Sequence, residues 1–428
     1  MRSLHPFRHD EFRSVAFATL ISVLGDGLMR VALPLQVLAI AADDPLAISA
    51  VGIAWTVGHV ASLPAGGVAS DRRDRRSIMI ASDLVRAGAI GLMGLLGAGG
   101  VLRIGHVLAL GALFGFANGF FNPAARSLVP DLVPDSELAR ANALLGFARP
   151  LQLWIVGPLI AGAIIAVASP AAALIVDALS FVLSALLLRR LPRRGPALER
   201  VEERRTIDDV REGLAFVQRT PWAKLWFVAL TVSTLAFHGP FDVLVPTMLK
   251  VDLGLTNAQA GWWIAMIFAS GGVGALLAST IIVHHGLPRR FMVLLYLAEA
   301  MSLFGLAGFA YVNSYWHVLL AGFVAFGATV LSEIISDTNL QRQVPRALLG
   351  RVTSLEWFVA IGVAPISFAA AGPLGRMFGA RPVLVAIGVF AGTTVAAIAL
   401  LPGALTPQHQ RTDDFRQGQP EPEHVMAR

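Results

Sequence analysis

The residues best placed to do chemistry stand inside long apolar runs. Asp26 and Arg30 lie four residues apart in SVLGDGLMRVALP and so share one helical face. His238 and Asp242 repeat that spacing in STLAFHGPFDVLVP, and Glu333 and Asp337 repeat it in LSEIISD. Arg149, Asp177, Glu299 and Glu356 are further charges within apolar segments. An ionisable side chain at bilayer depth costs roughly 2.5 kcal/mol or more, which makes each a functional candidate. Asp26 can take up a proton in one state and release it in another. A permanent ion pair with Arg30 is the alternative reading of the same spacing. Arg149 and Asp177 are proton-coupling candidates too, with structural locking as the alternative. Glu333 and Asp337 fall near the end of their run, where they can equally form a solvated gate. Glu356 can meet the arginines of SDRRDRR, and His59 reads as a core histidine.

Asn118, Phe120, His238, Phe241, Asp242, Glu333, Asp337 and Glu356 are the cavity candidates, with Trp55, Phe116, Phe237, Phe323 and Phe326 as further aromatics. Such a lining suits small amphipathic molecules, although a Phe stripe also serves packing. No Walker motif, Gly-x-Ser-x-Gly elbow or His-Glu-x-x-His is present. With no cysteine and only His284-His285 as a histidine pair, the sequence offers no metal site. Neither a catalytic residue nor a cofactor is expected.

The elements that position these residues are membrane helices. Of 428 residues, 55% are hydrophobic and 14% charged, against roughly 25% charged in soluble domains. Mean hydropathy is +0.66. A spanning helix needs about 20 mostly apolar residues. Twelve runs qualify, near 13–40, 47–69, 77–98, 104–129, 140–166, 170–189, 222–249, 257–284, 290–311, 315–339, 347–373 and 379–401. The first is too long for a cleaved secretory signal. The loops on one side hold four Lys and Arg in all, whereas the other side has four in SDRRDRR alone and nine from Arg189 to Arg219. By the positive-inside rule both termini are cytoplasmic. The net charge of +6 therefore reads as a topology signal and not as nucleic-acid binding.

The longest polar interruption, Arg189 to Pro221, separates six spans from six. Within it, TIDDVREGLAFVQ carries Ile207, Val210, Leu214 and Val217 at helical spacing, which predicts a short amphipathic helix on the inner membrane face. The tail from Thr406 is polar and expected to be disordered. VPDSELARANALL (133–145) recurs as VPRALLGRVTSLE (344–356), and SVLGDGLMRVALP resembles STLAFHGPFDVLVP with a one-residue slip. Two related six-helix halves follow.

Three motifs carry a family resemblance. Gly67-Val-Ala-Ser-Asp71-Arg72-Arg73-Asp74-Arg75-Arg76 resembles the Gly-x-x-x-Asp-Arg-x-Gly-Arg-Arg/Lys signature between the second and third spans of the major facilitator superfamily. Asp74 replaces a glycine, and a tight turn with φ > 0 is expected there. Gly157-Pro158-Leu-Ile-Ala161-Gly162 resembles the end of that family's antiporter motif, although Leu153 and Ile155 replace its earlier glycines. A small-residue packing face is the other reading. FNPAARSLVPDLVPDSELARAN, Asp177 and VREGLAFV resemble the drug/macrolide and siderophore (enterobactin-type) exporters of the family. Gly115 stands where many proton antiporters of the family have arginine.

The resemblance implies an all-α integral membrane protein of twelve transmembrane helices in two pseudo-symmetric bundles. Its units are residues 1-190, a central loop 191-221, residues 222-402 and a tail 403-428. It implies secondary, proton-coupled efflux of small amphipathic molecules by a monomer in the plasma (inner) membrane. An importer, or a non-transporting membrane sensor or enzyme, is the alternative. It also implies a latch of Gly67, Asp71, Arg72, Arg75 and Arg76, in which Asp71 docks near the start of the eleventh span at Ala347 to Arg351. A carboxylate is favourable at a helix N-terminus.

Overall fold

A computed structural model describes residues 2–192 and 206–407. The side chains of Asp71, Arg72 and Ala347, and nearly all of the tail expected to be disordered, lie outside the described residues. The described residues fold into helices: α1 (Asp10–Ile40), α2 (Pro45–Arg72), α3 (Arg75–Ala98), α4 (Ile104–Leu128), α5 (Asp135–Pro150), α6 (Gly157–Val167), α7 (Pro170–Leu188), α8 (Thr206–Arg219), α9 (Pro221–Gly239), α10 (Val245–Thr247), α11 (Asn257–His285), α12 (Phe291–Gly308), α13 (Tyr315–Gln343), α14 (Arg346–Gly362), α15 (Ala364–Phe378) and α16 (Ala380–Ile398). Among them, 12 continuous stretches are long and apolar enough to cross a membrane.

Three of these spans are interrupted within their length, each at a proline. A π-helical turn, Leu151–Val156, joins α5 to α6 between Pro150 and Pro158. The seventh span runs from α9 through π-helical Pro240–Leu244, α10 and π-helical Met248–Asp252. The eleventh breaks between α14 and α15, beside Pro365. Proline removes a backbone donor and crowds the preceding turn, so the local hydrogen-bond register shifts. The repeated Val-Pro segments open the fifth and eleventh spans alike: Pro134 (φ −59°) and Pro345 (φ −53°) are the N-caps of α5 and α14. The internal repeat is therefore a repeat of structure.

The two six-helix bundles pack against each other mainly at the end remote from the chain termini. There the helices approach closely because glycines face the partner. A Cβ at Gly52 would lie 2.5 Å from the Phe368 ring, one at Gly372 would lie 2.4 Å from Ser49 Oγ, and one at Gly162 would lie 2.9 Å from Ala265 Cβ. Gly261 meets Ile165, and Gly272 meets Ile155 and Trp154, along the fifth and eighth spans. Asp44 and Arg376 approach to 3.7 Å across the same seam. At the terminal end the bundles part. Leu63, Phe147, Trp357 and Phe358 are 36 to 63% exposed on helices that meet at the other end. A cavity thus opens toward the termini and closes away from them.

The amphipathic helix forms as its spacing predicts. Gly213 and Val217 are buried against α14 and α9, and Glu212 bonds Arg351 of α14. Val210 and Leu214 remain exposed.

Candidate functional site

The first site lies between α1, α3, α4 and α7. Its centre is Arg86, the largest fully buried side chain among the described residues. Arg86 bonds Asp83 on its own helix and donates to Ser22 Oγ at 3.1 Å and to Asn118 Oδ1 at 3.4 Å. Its guanidinium lies over the rings of Phe121 (4.2 Å) and Phe181 (4.4 Å), a geometry that stabilises a buried cation. Asp83 also accepts from Ser184 Oγ at 2.6 Å. Asp26 stands 3.9 Å from Arg86, with a quarter of its side chain accessible (25%). Asp177 is fully buried, and neither of its carboxylate oxygens has a hydrogen-bond partner. It lies against Gly25, where a Cβ would fall 2.3 Å from Asp177 Oδ1.

The suggested ion pair of Asp26 with Arg30 does not form. Arg30 instead turns its guanidinium over Trp154 (4.6 Å) and Phe268 (5.9 Å). Trp154 belongs to the first bundle and Phe268 to the second, so Arg30 sits at the seam. Its titratable neighbours are Asp26, His238 and Asp242. The two i, i+4 pairs of the repeat thus confront each other: Asp26 and Arg30 from the first span, His238 and Asp242 from the seventh. All four keep accessible surface deep between the bundles, which places them on the cavity wall. The matching glycines also correspond. Gly27 packs on Gly157 of the fifth span, and Gly239 packs on Ser367 of the eleventh. In the Gly-Pro motif, Gly157 serves packing within one bundle and Gly162 serves the seam.

Other expectations need correction. Phe241 and Phe326 are core residues, 5% and 7% exposed, in a ring cluster with Phe268. Phe237 and Phe120 are half-buried, and Phe116 is exposed. Arg149 donates to Asn122 (3.4 Å) and is also an electrostatic neighbour of Asp26. The reading of His59 as a core histidine needs no correction: it is buried and stacked on Trp55.

Among the described residues, Glu356 pairs with none of the loop arginines Arg73, Arg75 and Arg76. Its carboxylate accepts from Trp226 Nε1 (3.2 Å) and Ser336 Oγ (2.8 Å) inside the second bundle. Glu333 is surrounded by Glu299, Asp337 and Glu356, an acidic group held by serines. No cluster able to hold a metal ion occurs among the described residues.

In the loop motif, Asp74 has φ −59° and is the N-cap of α3, accepting from Ser77 N (3.2 Å) and Ser77 Oγ (2.5 Å). The expected left-handed turn is absent, because an aspartate can cap the helix directly. Arg75 donates to the Ser127 carbonyl (2.8 Å) and to Asp131 (2.7 Å), and Arg76 donates to the carbonyls of Leu188 (2.9 Å) and Arg189 (2.8 Å). Each arginine closes the C-terminal end of a helix in its own bundle.

Sequence reading missed Asp83 and Arg86. Both stand in ASDLVRAGAI within an apolar run, so the depth rule that selected Asp26 applies to them as well.

Two helical bundles around a half-open, charge-lined central cavity have the build of a membrane transporter. The chain belongs to the Major Facilitator Superfamily, whose profile matches residues 15–355. It is 28% identical over 404 residues to the enterobactin exporter EntS of Escherichia coli O1:K1, a match spanning 92% of this chain and 91% of that one. Its fold resembles that of the nucleoside transporter NupG (TM-score 0.72, 11% identity, 91% of this chain and 98% of that chain). It also resembles a bacterial homologue of the iron transporter ferroportin in an inward-facing state (TM-score 0.68, 17% identity, 91% and 98%).

Proposed function

We propose that the protein is a proton-coupled secondary exporter of small amphipathic, drug-like or siderophore-like molecules. The bundles of residues 1-190 and 222-402 rock about the central cavity. The observation that carries the reading is Asp26: a membrane-depth carboxylate, 25% accessible from the cavity and 3.9 Å from a buried cation that has other partners. Its protonation state can change while the cation stays satisfied. Protonation biases the two states only if the proton binds them with different affinity. The relationship to an enterobactin exporter supports export of amphipathic molecules.

The positive-inside pattern supports a cell-membrane protein with both termini in the cytoplasm. On that reading the open end is the cytoplasmic loading mouth, and Val210 and Leu214 of α8 rest on the inner leaflet. The protein works as a monomer, with protons as coupling ion. The test is Asp26→Asn in proteoliposomes, with a substrate found by a drug-panel screen in cells lacking their main pumps. Loss of the response to a proton gradient is expected, with exchange retained. Full retention of that response refutes the role of Asp26, and uptake by inside-out vesicles distinguishes export from import.

A further inference from the structure

Asp26 stands next to Arg86 without closing on it, and the geometry shows why. A charge-assisted hydrogen bond to a carboxylate spans about 2.7–2.9 Å, whereas Arg86 Nη1 is 3.9 Å from Asp26 Oδ1. The guanidinium is held elsewhere: between Phe121 and Phe181, on Ser22, on Asn118 and above all on Asp83. Asp83 is completely buried and is fixed in turn by Ser184 of α7 at 2.6 Å. Breaking a buried pair by removing one member leaves the other charge uncompensated, which is strongly destabilising. Asp83 and Arg86 are therefore a permanent pair. Asp26 faces that pair rather than a bare cation.

We propose that Asp83 is a positioning residue for proton coupling: it neutralises Arg86 and holds it off Asp26, so that Asp26 is free to exchange its proton with the cavity. The inference rests on the reading of Asp26 given above. Without Asp83, the carboxylate nearest Arg86 is Asp26, at 3.9 Å, with Asp177 beside them, and Arg86 closes on Asp26. The charged groups facing Asp26 are Arg86 from α3, Arg30 from α1 itself, Arg149 from α5 and Asp177 from α7. Asp83 faces Arg86 and Asp26. An opposite charge brought onto a carboxylate favours its ionised form.

The test needs no substrate. The chain has no cysteine, and Ser49, 3% exposed in the closed seam, becomes reachable when that end opens. A membrane-impermeant maleimide on Ser49→Cys therefore reports the balance of states as a function of pH in the full-length protein. Asp83→Asn is expected to move the midpoint of that profile to lower pH by about one unit or more. Ser184→Ala, which removes only the hydroxyl that fixes Asp83, moves it in the same direction by less. Asp83→Glu restores part of the wild-type position. Asp26→Asn flattens the profile.

An unmoved midpoint, or one moved to higher pH, in Asp83→Asn overturns the inference. Should Asp83→Asn fail to accumulate, the same outcome in Ser184→Ala overturns it. A profile that survives in Asp26→Asn overturns the reading of Asp26 instead, so the two failures are distinguishable.

Discussion

Gly52→Ala tests whether the closed seam belongs to one state of a cycle or to the fold itself. A methyl at this position meets three atoms of the Phe368 ring at 2.5, 2.6 and 2.8 Å, across the boundary between α2 and α15. Phe368 is 8% exposed and has little room to yield. Overpacking of this kind costs about 1–3 kcal/mol, or a factor of about 5–150 in an equilibrium between two states. The cost falls on the arrangement in which the seam is closed. The opposite arrangement separates Gly52 from Phe368 and escapes it. Labelling of Ser49→Cys by a membrane-impermeant maleimide is therefore expected to rise severalfold or more, with the thermal unfolding midpoint nearly unchanged.

Gly58→Ala is the control. Its Cβ would fall 2.2 Å from the Ala112 carbonyl oxygen inside the first bundle, a contact that no rocking motion relieves. That variant is expected to lower the midpoint and leave the labelling balance alone. If Gly52→Ala behaves like Gly58→Ala, destabilised with unchanged labelling, the seam is not a state-dependent contact and the reasoning fails.

Asp74→Ala is expected to cost about 1 kcal/mol of stability through loss of the N-cap, while Asp74→Ser stays near wild type, both read by thermal unfolding in detergent. Glu356→Ala orphans Trp226 Nε1 and Ser336 Oγ and is expected to cost about 1–3 kcal/mol, whereas Glu356→Gln keeps the acceptor oxygen and costs less, by the same assay. Arg76→Ala frees the carbonyls at the end of α7 and is expected to lower both thermal stability and transport. Asp71→Asn is expected to preserve insertion and stability and to abolish transport, which a vesicle transport assay paired with unfolding separates.

Composition and hydropathy were enough to place the twelve spans, because burial in lipid leaves a continuous apolar record along the chain. The duplication was legible for a related reason: Val-Pro at 133 and 344 caps two equivalent helices, and a cap is a local requirement. Partner choice was not legible. Spacing places Asp26 and Arg30 on one face, yet a face does not decide where a long side chain goes. Arg30 follows the ring of Trp154, which arrives from another span. Phe241 and Phe326 show the same limit, since an aromatic on the inner side of a bundle either lines a cavity or fills the core, and only packing decides. Asp83 and Arg86 differ in kind. Their signal was present in the sequence, and two opposite charges three residues apart within an apolar run mark a self-satisfying buried pair.

The distribution of polar bonds indicates which motion the fold permits. Within the first bundle, Arg75 and Arg76 tie the ends of α4 and α7 to the start of α3, and Arg86 joins α3 to α1 and α4. Pulling these helices apart would leave helix-end carbonyls and a buried guanidinium without partners, which is the costly direction. The seam is built differently. Gly52 meets a phenyl ring, Gly162 meets Ala265, and Asp44 meets Arg376 between largely exposed side chains, a pair worth about 0–1 kcal/mol. Parting such surfaces orphans little. Arg75 and Arg76 accordingly act as fasteners of their own bundle, and the energetically soft boundary runs between the bundles, through the cavity that Asp26, Arg30, His238 and Asp242 share.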